Sequence, residues 1–151
     1  MPRYVCDTSV LVKWFSERDE THLVQARALF DDWKGGQANL VTCDLAVWEL
    51  ANALHKGKRL PLEEVRGALA GLFDLPLELR PPHRELAEAT ADIAAEYGLT
   101  SYDACFLALA KMEGCRLITA NPRHHVRVRD GTVLMLEHYP ERRDRTGSGT
   151  Y

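Results

Sequence analysis

The sequence has no run of apolar residues long enough to cross a membrane, and its first residues do not follow a signal-peptide pattern. It also has no C-x-x-C spacing among its four cysteines, which are Cys6, Cys43, Cys105 and Cys115. Each cysteine lies in an apolar run, so we expect buried free thiols rather than disulfides or a zinc site. These absences indicate a protein of the reducing cytoplasm without a membrane partner.

The motifs of several common reaction types are missing as well. There is no G-x-x-x-x-G-K-[ST] phosphate loop, no G-x-G-x-x-G dinucleotide turn and no G-x-S-x-G nucleophile elbow. The formal net charge of −3 excludes a strongly basic surface, so any RNA contact would need a local basic patch. The pair His124-His125 lies in a polar stretch, where we expect a solvated loop rather than metal ligands.

Short apolar segments alternate with helix-like segments along the chain, which favours an α/β sandwich with a mostly parallel central sheet. We predict strands at 3–6, 40–43, 77–79, 116–119 and 133–136, and helices at 8–15, 20–34, 45–56, 61–73, 83–97 and 101–113. The 151 residues suggest one domain, at 1–140. We expect the remaining tail, 141–151, to be disordered, because it is charged and then rich in Gly, Ser and Thr.

Three acidic residues lie beside or within apolar segments. Asp7 follows the first strand, Glu49 lies inside the third helix and Asp103 is near the start of the last helix. Acidic side chains are rarely buried without a partner, and a divalent cation would offset their mutual repulsion. Ligands of parallel sheets bind beyond the carboxyl ends of the strands, where Asp7 and Asn121 are expected. The pattern therefore predicts a shared Mg²⁺ or Mn²⁺ site suited to phosphodiester hydrolysis.

Each acidic residue also has a simpler interpretation. Asp7 could cap the helix that begins at residue 8, and Asp103 fits a capping box with Thr100. Glu49 has no lysine or arginine three or four residues away on its own helix, although an arginine from elsewhere could pair with it. We prefer the shared site because three separate positions indicate the same edge of the sheet.

Four segments resemble the motifs of PIN-domain nucleases. They are VCDTSVLVKWF at 5–15, WELANAL at 48–54, SYDACFLALA at 101–110 and LITAN at 117–121. Their order and spacing extend the resemblance over nearly all of residues 3–137. In size the chain is similar to the VapC-type toxins of toxin–antitoxin pairs.

The resemblance implies a PIN-like α/β/α sandwich and a Mg²⁺- or Mn²⁺-dependent ribonuclease whose product carries a 5′ phosphate. It also implies a dimer and a small antitoxin protein that inserts near the acidic pocket. Asp7, Glu49 and Asp103 would bind the metal, and Asn121 would complete the catalytic set. Three hydroxyl-bearing residues would support this set by hydrogen bonds: Thr8, Ser9 and Thr119.

Asn121 departs from the fourth motif, which commonly carries aspartate at this position. An amide oxygen can still bind a cation but brings no charge, so we expect a second metal ion to be held more weakly. Arg123 and Arg127 follow Asn121 in the chain and are our candidates for RNA binding. The ordinary alternative for such basic residues is a solvated surface.

Other functions are compatible with the same motifs. One is a housekeeping PIN nuclease of RNA processing, and another is an RNA- or protein-binding module weakened by Asn121. An aspartyl-phosphate phosphatase is less consistent, because it would normally show Asp-x-Asp where this chain has Asp7-Thr8-Ser9. We further predict a homodimer formed through apolar stripes on the helices at 20–34 and 61–73. The stripe residues are Leu23, Phe30, Trp33, Leu62, Val65, Leu69 and Leu72.

Overall fold

The computed structural model describes residues 1–140, except for the side chain of His125; the predicted tail at 141–151 lies outside the described residues. The strands in this range are β1 Arg3–Cys6, β2 Asn39–Cys43, β3 Glu78–Arg80, β4 Arg116–Thr119 and β5 Val133–Met135. The α-helices are α1 Thr8–Phe15, α2 Leu23–Lys34, α3 Leu45–Asn52, α4 Leu62–Asp74, α5 Arg84–Tyr97, α6 Ser101–Met112 and α7 Pro122–Arg127. A π-helical turn, Ala53–Gly57, continues α3, and a 3-10 turn, Leu136–His138, follows β5.

The strands form one sheet in the order β3-β2-β1-β4-β5, and every neighbouring pair is parallel. The chain builds outward from β1 to β3 and then returns to the other side of β1 with β4. Right-handed crossovers therefore place α1 to α4 on one face of the sheet and α5 and α6 on the other. The predicted α/β/α sandwich with a mostly parallel sheet is confirmed, and the reversal between β1 and β4 opens a crevice at their carboxyl ends.

The central strands are buried because helices cover both faces of the sheet. Val5, Leu117 and Ile118 are fully excluded from solvent, and α6 packs its apolar side chains against β1, β2 and β4. Burial on both faces explains why these strands read as continuous apolar runs rather than as alternating patterns. None of the helices within residues 1–140 has the length and apolar character needed to span a bilayer.

All four cysteines are free thiols, as predicted, but their burial differs from the prediction. Cys6 and Cys43 are buried at the ends of β1 and β2, whereas Cys105 and Cys115 are partly exposed. The prediction of complete burial is therefore wrong for the last two. An apolar sequence neighbourhood shows that an element packs, and it does not show which of its side chains face inward.

Helix α7 occupies a segment whose polar sequence indicates a solvated loop. Asn121 caps this helix and Pro122 takes its first position, an arrangement common at helix starts. His124 lies within the helix and is only 1% exposed, so the prediction that it is solvated is wrong. A helix of six residues contains too few turns to show an apolar period, which explains why the sequence pattern does not reveal it.

The apolar stripes predicted to form a dimer interface are used only partly inside the protein. Phe30 and Trp33 of α2 pack on a tryptophan of α1, with ring centroids 5.2 and 5.9 Å from it. Val65 and Leu72 of α4 belong to the core, whereas Leu62 remains exposed. Val65 and Leu72 are therefore removed from the predicted interface. The remaining stripe residues are partly or largely exposed, and the interface and the homodimer stay predictions.

Glu20 joins two lysines that are almost entirely shielded from solvent. Lys13 of α1 lies 3.0 Å from one carboxylate oxygen and Lys58 lies 3.0 Å from the other. Lys13 also donates to the Thr21 carbonyl at 2.7 Å. The backbone N–H of Lys58 donates to the Ala53 carbonyl at 2.8 Å, which closes the π-helical turn. Glu20 thus holds the loop between α1 and α2 against the end of this turn.

We predict that Glu20→Gln destabilises the fold by about 3 kcal/mol, because it leaves two shielded lysines without a carboxylate. Asp31→Asn is the matched control: it removes an exposed ion pair with Arg27 and should change the free energy of unfolding by less than about 0.5 kcal/mol. Urea denaturation of the three proteins measures both effects. Equal transition midpoints for Glu20→Gln and the wild type would contradict the proposed role of Glu20.

Candidate active site

A cavity of about 270 Å³ opens at the carboxyl ends of β1 and β4. It receives side chains from the start of α1, from α3, from the start of α6 and from the segment after β4. Most of the site residues predicted from the sequence line it: Asp7, Thr8, Ser9, Glu49, Asp103, Asn121 and Arg123. Val12, Ala53 and Phe106 complete the wall. The structure therefore brings together residues that are more than one hundred positions apart in the chain.

Asp7 is buried at the end of β1 and caps α1. One carboxylate oxygen accepts the Ser9 N–H at 3.1 Å and the Ser9 hydroxyl at 2.5 Å, and the other accepts the Thr119 hydroxyl at 2.5 Å. Burial raises the pKa of Asp7 above its ordinary value, while hydrogen bonds from Ser9 and Thr119 and the nearby charge of His124 act in the opposite direction. The capping role and the place in the cavity belong to the same side chain.

The two hydroxyls that hold Asp7 also tie β1 to the segment after β4. Ser9 Oγ accepts the Ala120 N–H at 2.9 Å, and Thr119 Oγ1 accepts the Asn121 N–H at 3.0 Å. Both hydroxyls around the carboxylate are thus shared between Asp7 and the backbone beyond β4. The position of Asn121 in the cavity depends on the same contacts that fix Asp7.

His124 lies behind Asp7 and was not predicted as part of the site. Its Nε2 atom is 3.9 Å from the Asp7 carboxylate, and its Nδ1 atom is buried without a hydrogen-bond partner among the described residues. The signal that could have found it is the Asn-Pro start of α7, since Asn at the cap and Pro at the first position indicate that His124 lies in a helix and not in a loop. No other buried imidazole contacts the cavity residues in the described part of the chain.

Glu49 is half-buried on α3 and faces the other carboxylates. Its Oε1 atom accepts the Thr8 hydroxyl at 2.8 Å. Burial raises the pKa of Glu49, the Thr8 hydrogen bond lowers it, and the charges of Asp7 and Asp103 raise it further. The partner sought for this residue in the sequence is therefore a hydroxyl from α1 and not an arginine.

Asp103 and Asn121 both contact Arg123. The Asp103 backbone N–H donates to Thr100 Oγ1 at 3.1 Å, which caps α6, and its carboxylate lies 3.8 Å from the Arg123 guanidinium. Asn121 Oδ1 accepts the Arg123 N–H at 3.1 Å and the Arg123 Nε–H at 3.4 Å. Arg123, one of the candidates for RNA binding, therefore lies at the rim of the cavity.

Arg127 is placed differently from its neighbour Arg123. Its guanidinium donates to the Tyr97 carbonyl at 3.2 Å and also to the Gly98 carbonyl, at the end of α5. It does not line the cavity. The placement of Arg127 thus supports a structural role in closing α5 and gives no support to the predicted contact with RNA.

The carboxylates surround the cavity without meeting at one point. Among the described residues, no three His, Cys, Asp or Glu side chains are spaced to hold a metal ion. Each acidic group instead has its own partner: Asp7 accepts hydrogen bonds from Ser9 and Thr119, Glu49 accepts one from Thr8, and Asp103 forms an ion pair with Arg123.

These features define a parallel α/β/α protein with an acidic cavity at the reversal point of its sheet. The model of the PIN domain family matches residues 4–130, and the chain belongs to this family. A relative from Pyrobaculum aerophilum, named Ribonuclease VapC3, is 34% identical over 84 residues. The match covers 53% of this chain and 64% of that relative.

Solved structures share the fold over most of their length. A toxin–antitoxin complex from Klebsiella pneumoniae superimposes with a TM-score of 0.62 and 21% identity, covering 88% of this chain and 97% of that one. VapC20 from Mycobacterium tuberculosis, a toxin that cleaves the sarcin–ricin loop, superimposes with a TM-score of 0.61 and 15% identity over 78% of this chain and 87% of that one. At these identities the likeness concerns the fold alone.

We predict that Glu49→Gln stabilises the metal-free protein at pH 7. A raised pKa means that the fold favours the protonated acid, so stability falls as the pH rises above the ordinary value of 4.5. Glutamine keeps the acceptor for Thr8 and removes the charge. In chelator, its melting temperature should exceed that of the wild type by a few degrees at pH 7, and the difference should disappear below pH 4.5.

The control for this measurement is Glu63→Gln, which changes an exposed glutamate on α4. It should melt with the wild type across the same pH range. A metal-free Glu49→Gln protein that is less stable than the wild type at pH 7 would contradict the prediction. It would show that the Glu49 charge stabilises the metal-free fold instead of straining it by burial and repulsion.

Proposed function

We propose that this protein is a Mg²⁺- or Mn²⁺-dependent endoribonuclease and the toxin of a toxin–antitoxin pair. The observation that carries the proposal is that three carboxylates and one amide, from Asp7, Glu49, Asp103 and Asn121, line one cavity of a PIN fold. The likeness to a relative named Ribonuclease VapC3 supports the activity, and it spans 64% of that relative. The RNA substrate and the antitoxin partner are part of the same proposal.

The donor set suits a hard divalent cation. Asp7, Glu49 and Asp103 offer carboxylate oxygens, which Mg²⁺ and Mn²⁺ prefer, and the Asn121 amide oxygen can serve beside them. A bound ion would activate a water molecule and offset the charge of the phosphate. It would also relieve the repulsion from Asp7 and Asp103, which adds to the effect of burial in raising the pKa of Glu49.

The protein's own residues orient these groups. Ser9 and Thr119 donate hydrogen bonds to the two oxygens of Asp7 and so hold the carboxylate in one orientation. Thr8 holds Glu49 toward the same cavity. Arg123 is 65% exposed at the rim and lies in the right place to contact a phosphate of the substrate. Together they would align one phosphodiester bond over the acidic groups.

The partner proposals follow from the comparisons and from the surface. The fold shared with a toxin–antitoxin complex supports a small protein antitoxin that covers the acidic cavity. Carboxylates and Arg123 at its rim offer both signs of charge to such a partner. A homodimer stays part of the proposal, and Leu62 of α4 is the most exposed of its predicted contacts.

We predict that Asp103→Asn lowers Mn²⁺-dependent RNA cleavage by at least about 100-fold, because it removes a charge from the metal-binding set while keeping the shape of the side chain. The control, Asp92→Asn, changes an exposed acid on α5 and should cleave like the wild type. Cleavage of a structured RNA is measured with saturating Mn²⁺. Near-normal cleavage by Asp103→Asn would contradict the assignment.

The same proteins allow a test that does not depend on cleavage. An ion that binds the native cavity and not the unfolded chain stabilises the fold by mass action. Mn²⁺ should therefore raise the melting temperature of the wild type and of Asp92→Asn, and should leave that of Asp103→Asn nearly unchanged. An equal rise in all three would locate metal binding elsewhere.

Asn121 should tune the metal requirement. Its Oδ1 atom caps α7, and aspartate caps a helix equally well, so Asn121→Asp adds a charge to the cavity with the cap intact. We expect half-maximal cleavage at a lower Mg²⁺ concentration. Asn121→Ser is the control that keeps a capping oxygen without adding charge, and it should need more Mg²⁺ than Asn121→Asp.

A purely capping role of Asn121 gives a different set of results. The Mg²⁺ titrations of the wild type, Asn121→Asp and Asn121→Ser would then coincide. Asn121→Ala would lower stability by roughly 0.5–2 kcal/mol, the ordinary effect of losing a cap, without changing the metal requirement. Melting curves recorded beside the titrations separate the two roles.

A further inference from the structure

The imidazole of His124 is buried behind the acidic cavity, and the function proposed above gives it no task. The ring is almost completely excluded from solvent, and its Nδ1 atom has no hydrogen-bond partner among the described residues. Burial of a polar ring costs free energy unless other contacts replace those that it makes with water. A buried histidine with one unpaired nitrogen therefore requires an explanation, and its second nitrogen supplies one.

The Nε2 atom of His124 faces the buried carboxylate of Asp7. It lies 3.9 Å from Oδ2, which is too long for a hydrogen bond but short enough for an electrostatic contact in a site without water. An ionised carboxylate only accepts hydrogen bonds, so we assign a proton to Nε2. This assignment holds whether or not Nδ1 also carries a proton. A polar N–H group thus lies beside a buried negative charge.

The two oxygens of the Asp7 carboxylate are held by different parts of the chain. Oδ1 accepts the N–H and the hydroxyl of Ser9, which belongs to α1. Oδ2 accepts the hydroxyl of Thr119, at the end of β4, and is the oxygen that lies next to His124 of α7. Oδ1 therefore receives two hydrogen bonds, whereas Oδ2 receives one and depends on His124 for a second electrostatic partner.

The start and the end of α7 hold His124 in this place. Asn121 caps the helix, and its N–H donates to the same Thr119 hydroxyl that holds Asp7, at 3.0 Å. At the other end, the N–H of the buried Val128 donates to the His124 carbonyl at 3.0 Å. This helix therefore approaches the acidic residues twice, with Asn121 in the cavity and with His124 behind Asp7.

We propose that His124 is a positioning residue of the metal site, which presents the Asp7 carboxylate to a divalent cation in one orientation; the proposal rests on the metal-dependent function proposed above. His124 acts through Asp7 and touches neither the cation nor the RNA. Groups that hold a metal-binding carboxylate from behind fix its orientation, and their loss commonly weakens metal binding by about 10–100-fold. The cost of burying one unpaired nitrogen is thus offset by a better-oriented ligand.

The test is a titration of the protein with Mn²⁺ alone, followed by the melting temperature and without RNA. Mn²⁺ that binds the native protein raises the melting temperature by mass action, so the titration reports metal affinity. His124→Phe replaces the imidazole by an apolar ring of similar shape. We expect its curve of melting temperature against Mn²⁺ to be displaced to a roughly tenfold higher concentration.

Two amide variants test which nitrogen matters. The amide nitrogen of glutamine lies as many bonds from Cα as Nε2 of histidine does, and that of asparagine as many as Nδ1. His124→Gln should therefore retain most of the Mn²⁺ affinity, and His124→Asn should behave like His124→Phe. A role in packing alone predicts no such difference in Mn²⁺ affinity between the two amides.

The matched control is Val128→Ala, which removes buried apolar contacts at the end of α7 and keeps the imidazole. It should lower the melting temperature in chelator without displacing the Mn²⁺ curve. RNA cleavage gives a second readout: His124→Phe should need more Mn²⁺ for half-maximal cleavage, and its kcat at saturating Mn²⁺ should approach that of the wild type. This split between metal requirement and kcat separates positioning from direct participation in the reaction.

Several results would overturn the inference. Coinciding Mn²⁺ curves for the wild type and His124→Phe, or for the glutamine and asparagine variants, would show that Nε2 does not act on the metal site. If none of the three variants folds, His124 is a packing residue and the inference is wrong. A wild type that Mn²⁺ does not stabilise would remove the proposed metal site and this inference with it. A wild type that binds Mn²⁺ but cleaves no RNA would contradict the ribonuclease proposal alone, and the Mn²⁺ curves would still decide the role of His124.

Discussion

The burial of the Asp7 carboxylate is the constraint on which the rest of the site depends. A carboxylate enclosed at the end of a central strand must receive hydrogen bonds, and here the donors come from two different elements. Ser9 supplies them from α1 and Thr119 from the end of β4. The same hydroxyls accept N–H groups of the segment that leads to Asn121. The hydrogen bonds to one buried carboxylate therefore position β1, α1, β4 and α7 relative to one another, and the cavity lies between these elements.

Helix capping and active-site chemistry are not alternatives in this fold. In a parallel sheet with helices after its strands, a strand end and a helix start lie at the same edge. An oxygen acceptor that caps the helix there already faces the crevice, as Asp7 and Asn121 do. The cap fixes the side chain in one rotamer, and a fixed rotamer is what a metal ligand requires. The capping role of these residues is thus compatible with the metal-binding role proposed for them.

The sequence could predict the parts of the structure that rest on long patterns. Strands buried on both faces read as apolar runs, and the acids at their ends could be located at the edge of the sheet. It could not predict contacts that depend on distant segments. Arg127 is held by carbonyls at the end of α5, and His124 is buried against Asp7, although both lie in a polar stretch. Amphipathic stripes such as that of α4 show that a face is covered, and they do not show whether the cover is the chain itself or a partner.

The π-helical turn after α3 lies between two residues with different roles. Glu49, before the turn, lines the cavity, and Lys58, after it, pairs with Glu20. A π-helical turn accommodates one residue more than an α-helical turn between the same flanking positions, so deleting a single residue within Ala53–Gly57 would convert it to regular α-helix while the residues beyond it keep their direction. Glu49 would keep its place in the cavity, and Lys58 would still reach Glu20. The turn is therefore a place where the chain tolerates a change of one residue in length without moving either the acidic group on α3 or the anchor of the loop between α1 and α2.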